Sequence, residues 1–458
     1  MSSSFVGGGK RLDVNDDAKE EAKQVLEEFT LIEEYVKWAS SKIPYVDVFH
    51  ELAVLTAIGH AANHVRIPYT ARKTPRLFVL ILARTREGKS AAMDIARASV
   101  WASLNTFELT SGSLEAHLED LSLEKTPPLI ISEELAILLG PEYARNILDL
   151  FIRAYDMKEW IHRTRDHNRR IKLQSNQMRI SAYLASQPQR LATKLTTLDV
   201  ASGFLPRFVI AHVSLDKELK KKQFRKKAEE FPEAIVIMES NGRIRIVFTD
   251  SVAAMFAYAI SELKDKLKSV KRVVFATGDA REHYLSVCEE LLDHVEGLPE
   301  NVADTVKSVD EHVITIAAIR ALSRIAKEKP RIKPEDIDYA LDVVRRTVLS
   351  SVDIIADVIN EPKHWRDKIE ETADLILAIL SESPEGRMSR RDVLRKLQRR
   401  KAYIPDAENL LKKLDKLGVV YIPTGGRRSI LYCIPEENKC EQCELRKYCS
   451  YAIQHISP

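Results

Sequence analysis

The clearest candidate for chemistry in this sequence is the segment Ala83–Ser90, which reads ARTREGKS. It matches the phosphate-loop pattern G-x-x-x-x-G-K-[ST] at every defined position except the first, where Ala83 replaces glycine. Backbone amides at a helix N-terminus would cradle the β- and γ-phosphates of ATP. Gly88 would allow their close approach, Lys89 would neutralise their charge, and the Ser90 hydroxyl would hold Mg²⁺. Alanine allows fewer backbone conformations than glycine at the first turn of the loop, so the sequence is also compatible with slow ATP hydrolysis.

A pair of acids follows about forty residues later, in Pro128–Glu134, which reads PLIISEE. At the end of a buried strand, Glu133 would contact Mg²⁺, directly or through water. Glu134 would orient and polarise an attacking water as the general base. The alternative is two surface glutamates at the start of a helix, where the helix dipole favours acidic side chains. The upstream phosphate loop favours the catalytic interpretation.

Four of the five cysteines fall within seventeen residues with the spacing C-x6-C-x2-C-x5-C, at Cys433, Cys440, Cys443 and Cys449. Such a tight cluster in a cytosolic chain indicates a metal site rather than disulfides. Four thiolates would hold tetrahedral Zn²⁺ or a [4Fe–4S] cluster. The C-x2-C-x5-C part resembles the cluster-binding run of certain iron–sulfur nucleases, which favours iron slightly. The metal would at least staple a tail that is too small to form its own core.

A basic module precedes this tail. Residues 381–430 hold thirteen Lys or Arg against six Asp or Glu, whereas the whole chain has a net charge of only +3. Three short helical patterns, the last running from Asp406 to Gly418, are followed by strand, Gly-tipped turn and strand, which is the winged-helix arrangement. The third helix would enter the major groove of DNA and the wing would touch the backbone, although many winged helices bind protein instead. The candidate DNA contacts are Asn409, Lys412, Lys413, Lys416, Arg427 and Arg428.

Short apolar runs alternate with helical patterns and would position the phosphate loop and the acids. The expected strands are Arg76–Leu82, Leu129–Ile131, Arg179–Ala185 and Arg207–Val213. This alternation predicts an α/β sheet covered on both faces. Farther along, Asn241-Gly242 lies between two apolar runs and predicts a β-hairpin.

Two flanking segments carry less information. The first fourteen residues are expected to form a flexible Ser/Gly arm, followed by one charged helix over Asp16–Ser40. Lys217–Lys227, which reads KELKKKQFRKK, is either a basic surface helix or a linker.

Between Val48 and Thr347 the sequence resembles the AAA+ ATPases, and among them the motor domains of minichromosome-maintenance helicases and helicase-like ATPases of mobile elements. Besides the phosphate loop, the segments that carry the resemblance are Thr110–Glu115 (TSGSLE), Ile131–Leu135 (ISEEL), Ala185–Pro188 (ASQP) and Ser202–Phe208 (SGFLPRF). The family usually has an aspartate where this chain has Glu133. The resemblance implies a P-loop ATPase core with a helical lid.

The resemblance also implies individual roles. Ser186 or Gln187 would be the polar sensor of the γ-phosphate. Arg207 would be an arginine finger that completes the site of a neighbouring subunit, or else an ordinary surface arginine. Lys307 is a weaker candidate for a second sensor in the lid.

The related helicases carry a DNA-gripping β-hairpin just before the sensor, and here Trp160–Lys172 occupies that place. Its candidate phosphate contacts are His162, Arg163, Arg165, Arg169 and Arg170, and Trp160 would stack on a base or merely pack. The alternative is a solvated charged hairpin.

The expected fold class is thus α/β: an AAA+ P-loop NTPase core with a helical lid, a C-terminal winged helix and a small metal-binding tail. The expected segments are an N-terminal arm and helix (1–45), the ATPase core (46–215), a basic linker, hairpin and helical insertion (216–300), the lid (301–364), the winged helix (365–434) and the cysteine tail (433–458).

The expected function is that of an oligomeric ATP-driven DNA translocase or helicase, suspected to form a hexameric ring and to serve replication of a mobile element. The alternatives are an ATP-switched DNA-binding regulator without motor activity and an RNA-directed ATPase. A cytoplasmic location is expected, because no apolar run approaches the roughly 20 residues of a membrane span and the N-terminus lacks the apolar stretch of a signal peptide.

Overall fold

The computed structural model describes the protein over residues 10–69, 73–109, 114–139, 147–163, 170–195, 203–226, 232–238, 244–359, 375–376, 378–380, 387–389, 392–393, 395–396, 420–424 and 429–433. The chain divides into two compact units, Met1–Asn360 and Glu361–Pro458. The finer division into six segments stays a prediction.

The first unit contains helices and short strands in alternation. Its strands are β1 (Lys10–Asp13), β2 (Phe78–Leu82), β3 (Thr106–Glu108), β4 (Leu129–Ser132), β5 (Trp160–Arg163), β6 (Arg170–Leu173), β7 (Ser181–Ser186), β8 (Val209–His212), β9 (Ala234–Met238), β10 (Ile244–Phe248), β11 (Val274–Phe275) and β12 (Arg331–Ile332). Its α-helices are α1 (Asp16–Glu28), α2 (Leu31–Lys42), α3 (Asp47–Ala61), α4 (Lys89–Arg97), α5 (Leu114–Leu123), α6 (Leu135–Leu138), α7 (Ile147–Tyr155), α8 (Pro188–Ala192), α9 (Lys217–Lys226), α10 (Ser251–Leu267), α11 (Gly278–Glu296), α12 (Glu300–Val306), α13 (Val309–Ser323), α14 (Pro334–Arg346) and α15 (Val352–Ile359).

A five-stranded parallel sheet forms the centre of this unit, in the order β3-β4-β7-β2-β8. Every residue of β2, β4 and β7 is buried, which is why their sequences read as continuous apolar runs. Helix α3 packs on the sheet, and the Tyr183 hydroxyl donates a hydrogen bond of 2.8 Å to the Phe49 carbonyl oxygen. The expected α/β class is therefore confirmed.

The N-terminal region differs from the sequence expectation in two ways. Lys10–Asp13 form strand β1, which pairs in parallel with β10, so these residues do not belong to a flexible arm. The single charged helix expected over Asp16–Ser40 is two helices, α1 and α2. Phe29 ends the first in a left-handed conformation (φ 63°), which turns the chain away from the helix axis. The Ala18, Ala22 and Leu26 side chains of α1 are buried, and α1 packs on α10.

The β-hairpin predicted around Asn241-Gly242 is confirmed by its strands. β9 and β10 pair antiparallel, with Ile244 opposite Met238 and Phe248 opposite Ala234. β9 lies at the edge of the sheet β1-β10-β9.

Two of the helices after the hairpin, α10 and α13, pack on α3, the helix that leads into the central sheet. Helices α13 and α14 pack closely against each other, and α13 also contacts α3. The Glu51 carboxylate on α3 accepts hydrogen bonds from the Tyr339 hydroxyl (2.7 Å) and from the Arg346 guanidinium (2.8 Å) on α14. Polar contacts therefore tie the region expected to be a lid to the scaffold of the phosphate loop.

The second unit contains a small antiparallel sheet of β13 (Arg387–Ser389), β14 (Val420–Thr424) and β15 (Ser429–Cys433), in the order β13-β15-β14. β14 and β15 are the two strands expected for the wing. The expected recognition helix lies outside the described residues, as do its candidate contacts Asn409, Lys412, Lys413 and Lys416 and the wing residues Arg427 and Arg428.

Candidate nucleotide site

The phosphate-loop segment connects β2 to α4 at the carboxyl edge of the central sheet. Gly88 has a left-handed backbone (φ 84°) directly before α4, and Arg86 is also left-handed (φ 68°). Where left-handed residues alternate with right-handed ones, successive backbone N–H groups turn toward one point and form an anion-binding concavity. Ala83 is not among the described residues with positive φ, and its N–H donates to the Ser186 carbonyl oxygen at 3.1 Å. The missing glycine therefore costs this loop no backbone strain.

The Glu134 carboxylate lies at the centre of the site. Its Oε2 is 3.2 Å from Lys89 Nζ, and both side chains are nearly buried, with 12% and 11% exposed. Its Oε1 accepts hydrogen bonds from the Ser186 hydroxyl at 2.5 Å and from the Gln187 N–H at 3.2 Å. The Arg190 guanidinium, on α8, lies 3.8 Å from Oε2. Loops after three neighbouring strands, β2, β4 and β7, thus bring a lysine, an acid and a hydroxyl into direct contact.

No protein-family model matches the chain, and no curated protein matches it either.

The neighbouring acid, Glu133, has a different environment. Its Oε1 lies 2.7 Å from Arg97 Nη1, and 42% of its side chain is exposed. Arg97 also pairs with Asp94 and Glu108. Burial would lower the pKa of Arg97, but the hydrogen bond to Glu133 and the nearby carboxylates raise it above its ordinary value. The structure therefore brings Glu134, and not Glu133, to Lys89.

Arg207 lies near the amino ends of the sheet strands, opposite to the carboxyl edge that carries the phosphate loop. It ends the 3-10 helix Leu205–Arg207 just before β8 begins, and Val209 of β8 pairs with Val79 of β2. Counted along the strands, Arg207 is about five residues, or roughly 15 Å, from the level of the phosphate loop. The guanidinium donates to the Gly203 carbonyl oxygen and lies 3.6 Å from the Asp156 carboxylate. Arg207 therefore does not reach the site of its own chain.

A partly buried charged cluster lies beside Arg207. The Arg207 guanidinium stands over the ring of Tyr155, whose hydroxyl donates to Glu311 Oε2 at 2.6 Å. Lys73 Nζ lies 2.5 Å from the same oxygen. Burial lowers the pKa of Lys73 to about 8, although the charge of Glu311 opposes the shift. The cluster connects Arg207 to helix α13.

The β-hairpin expected in Trp160–Lys172 is represented by β5 and β6, which pair antiparallel with Arg163 opposite Arg170, and its contact with DNA stays a prediction. Trp160 is buried with the Arg153 guanidinium over its ring, so it packs rather than presenting a free face. Arg170 and Ile161 are exposed, and His162 is partly buried 3.6 Å from Glu115. Arg165 and Arg169 lie outside the described residues.

The remaining candidates are Lys307 and the four cysteines of the tail, and three of these cysteines lie outside the described residues. Lys307 lies at the end of α12, largely exposed, 3.4 Å from Asp304. Cys433 ends β15, whereas Cys440, Cys443 and Cys449 are not described. No group of metal-ligating side chains occurs within the described part of the chain. Among the helices described, none is both long and apolar enough to cross a bilayer.

Sequence reasoning missed three charged residues of the site: Arg190, Arg97 and Glu87. Glu87 stands inside the phosphate loop with 1% of its side chain exposed, and its partner is Lys220 on α9, at 2.9 Å. Arg190 could have been suspected because it follows the sensor segment within one helical turn. The other two depend on contacts between elements that are far apart in the sequence, and no local pattern indicates them.

Proposed function

We propose that the chain is an oligomeric, nucleic-acid-dependent ATPase of the AAA+ type that acts as a DNA translocase or helicase. The observation that carries this proposal is the convergence of Lys89, Glu134 and Ser186 on one point at the carboxyl edge of a parallel sheet. Ligands of open α/β sheets bind at this edge. A cation, a candidate base and a polar sensor are the groups that phosphoryl transfer to water requires.

The contacts suggest an order of events on substrate binding. Lys89 Nζ lies 3.2 Å from the Glu134 carboxylate. The γ-phosphate of ATP would draw Lys89 into the loop and leave the Glu134 carboxylate free to accept a proton from the attacking water. The Ser186 hydroxyl and the Gln187 N–H would keep that carboxylate in place. Mg²⁺ would supply charge neutralisation on the phosphates, with Ser90 as its ligand from the loop.

The position of Arg207 supports an oligomer. An arginine on the opposite edge from its own phosphate loop can stabilise transition-state charge only in the site of another subunit. Asp156 and Tyr155 hold its side chain, so the guanidinium is partly ordered before any such contact. A hexameric ring remains part of the proposal.

Nucleic acid would contact the chain in two places. In the first unit, the β5–β6 hairpin would contact phosphates through Arg170, which is exposed, and through Arg163, its partner in the strand register. The winged-helix region of residues 365–434 would bind duplex DNA through its third helix and wing. The cysteines of the tail would hold Zn²⁺ or a [4Fe–4S] cluster, and a chelator that unfolds the second unit alone would support this.

One observation favours a second function, an ATP-switched DNA-binding scaffold. Glu133, the acid expected near the metal, is engaged by Arg97. If that pair persists with ATP bound, the metal is incompletely coordinated and turnover is slow. Hydrolysis distinguishes the two functions, because a motor must hydrolyse faster with DNA.

The test is steady-state ATP hydrolysis by the full chain, with and without single-stranded and forked DNA. DNA should stimulate hydrolysis, and Lys89→Ala and Arg207→Ala should each abolish it, while Lys329→Ala on the exposed surface should not. Because the site is shared, mixing the Lys89→Ala and Arg207→Ala chains should restore part of the activity. Nucleotide binding with hydrolysis near background under every condition would favour the scaffold, and an absence of nucleotide binding would contradict both.

A further inference from the structure

Helix α9 is a strongly basic element of the first unit. Its ten residues, KELKKKQFRK, hold six Lys or Arg and a single Glu. Lys217, Lys221 and Arg225 are exposed, and because they are four residues apart they form one stripe with about 6 Å of axial rise between neighbours. Lys222 is also exposed. Glu218 is exposed as well and lies 2.7 Å from Lys221 Nζ, so one acid opposes four exposed cations on this face. The outer face of α9 therefore keeps a net positive charge, which suits a ligand with regularly repeated negative charge.

The inner face of the same helix contacts the phosphate loop. Lys220 Nζ lies 2.9 Å from the Glu87 carboxylate. Gln223 is buried, and its amide packs so closely on Gly88 that a Cβ at this glycine would come within 2.6 Å of Nε2. The same amide donates to the Pro44 carbonyl oxygen at 3.2 Å, which ties α9 to the segment before α3. Movement of α9 would therefore disturb the loop directly.

The pair of Glu87 and Lys220 has an electrostatic consequence. Glu87 is an acid inside a loop whose expected ligand is a polyanion, and its Oε2 already accepts the Arg84 N–H at 2.6 Å. An uncompensated carboxylate at this place would repel phosphate strongly, because a buried charge is poorly screened by water. The Lys220 ammonium compensates that charge. The position of α9 therefore influences how well the loop binds phosphates.

We infer that α9 binds the sugar–phosphate backbone of a nucleic acid strand along Lys217, Lys221 and Arg225, and that this binding strengthens nucleotide binding through Lys220 and Gln223. This inference rests on the proposed nucleotide site. An occupied outer face holds α9 against the loop and keeps Lys220 on Glu87. By linkage, nucleotide in turn strengthens nucleic acid binding by the same factor. Lys220 is a positioning residue in this scheme, since it acts on the ligand through Glu87.

The test measures affinity for a fluorescent non-hydrolysable ATP analogue, with and without a single-stranded oligonucleotide, in the full-length protein. The oligonucleotide should raise the affinity at least about 5-fold. The combined variant Lys217→Gln, Lys221→Gln and Arg225→Gln should lose this gain and keep the affinity measured without oligonucleotide. A matched variant on another exposed surface, Lys266→Gln, Lys268→Gln and Lys271→Gln, should keep both.

A second pair of variants tests the contact with the loop. Lys220→Met should lower the affinity for the analogue about 10-fold, and adding Glu87→Gln should restore it, because the neutral amide needs no compensating cation. A role of Lys220 in folding alone would give no such rescue.

Three results would overturn the inference. The first is that the triple variant of α9 keeps the full gain in affinity for the analogue. The second is that Glu87→Gln fails to rescue Lys220→Met. The third is that polyglutamate raises the affinity as well as the oligonucleotide does, which would indicate an acidic protein partner. A wild-type chain that binds no ATP analogue at all would overturn the proposed function and the inference together. Binding of the analogue without any effect of oligonucleotide overturns the inference alone.

Discussion

At the scale of single residues, the phosphate loop depends on two backbone positions in opposite ways. Gly88 is left-handed and packed under Gln223, whereas Ala83 is buried in an ordinary conformation. The departure from the phosphate-loop pattern at Ala83 therefore causes no backbone strain, whereas the glycine at Gly88 is required by both its backbone angle and the space around it.

The first prediction compares these two positions. Gly88→Ala should cost about 1–2 kcal/mol of backbone strain, in addition to the displacement of Gln223, and abolish nucleotide binding. Ala83→Gly should leave hydrolysis no faster and lower the free energy of unfolding by about 0.5–1 kcal/mol through a more flexible unfolded chain. Chemical denaturation and nucleotide titration measure both. A clear gain in turnover from Ala83→Gly would show that the first turn does limit the reaction.

The second prediction separates the two acids. Glu134→Gln should lower kcat by about 10²- to 10⁴-fold while nucleotide still binds, since it removes the proposed general base and leaves Lys89 free to contact phosphate. Glu133→Gln should cost less, because Glu133 lies on Arg97. Single-turnover hydrolysis and nucleotide titration distinguish the loss of chemistry from the loss of binding. Equal losses of kcat from both substitutions would mean that Glu133 leaves Arg97 when the metal binds.

The residues of the site were predictable from the sequence where one motif contains them. Lys89 follows from the loop pattern, and Glu134 follows from its place at the end of an apolar run. Ser186 was indicated, together with Gln187, only by the resemblance to the AAA+ ATPases. Glu87 and Lys220 were not predictable, because their contact joins residues more than a hundred positions apart. A local pattern carries no information on such a pair.

At the scale of elements, strand β6 of the β5–β6 hairpin presents its basic residues on the side away from the core. Ile171 and Leu173 are buried while Arg170 and Lys172 are exposed, which is the alternation of a half-buried strand. The inward residues anchor the hairpin on α5, and the outward cations face solvent.

The third prediction follows from this alternation. Arg170→Ala should weaken binding of single-stranded DNA and lower the slope of log affinity against log salt by about one, as expected for the loss of one phosphate contact. Lys329→Ala, an exposed lysine far along the chain, should change neither. An unchanged salt slope for Arg170→Ala would identify the hairpin as a solvated charged surface.

Elements were predictable where a strong local signal exists. Apolar runs indicated the central strands, and Asn241-Gly242 indicated the β9–β10 hairpin. Strand β1, which reads KRLD, was missed because four mostly charged residues have no strand pattern and pair with β10, far along the chain. The break between α1 and α2 was missed because Phe29 is not a residue that typically adopts a left-handed cap.

At the scale of the whole molecule, four histidines lie buried in the described part of the first unit, and burial strongly lowers the pKa of three of them. Burial lowers the pKa of His50 to about 4, of His60 to about 3 and of His312 to about 4. Each is neutral in the folded chain, but in the unfolded chain it takes up a proton near its ordinary pKa of about 6.5. The stability that these groups contribute is complete above pH 6.5 and is lost as the pH falls toward 4.

The fourth prediction is a steep loss of stability in mild acid. Between pH 7.5 and pH 5.5, protonation of each of these three histidines in the unfolded chain should lower the free energy of unfolding by about 1–1.5 kcal/mol. His312→Gln should reduce this pH dependence by about a third, whereas His294→Gln, at an exposed position, should leave it unchanged. Urea denaturation at both pH values gives the comparison. An equal pH dependence in all three proteins would place the titrating groups elsewhere.

The α/β class of the first unit was predictable, because alternating apolar runs and helices allow few other arrangements. The strand order was not predictable from composition or periodicity. β7 inserts between β4 and β2, and this insertion is what places Ser186 between the phosphate loop and the acid.

The pairing of β1 with β10 and the packing of α1 on α10 also affect how the chain is made. Both contacts join the beginning of the chain to residues more than two hundred positions later. At a synthesis rate of about 5–20 residues per second, α1 waits roughly 10–50 s on the ribosome before its partner emerges. Throughout that interval α1 lacks α10, the helix that covers most of its apolar side in the fold. Slower synthesis would lengthen the time for which the apolar side of α1 is exposed. We expect general chaperones to bind this nascent segment.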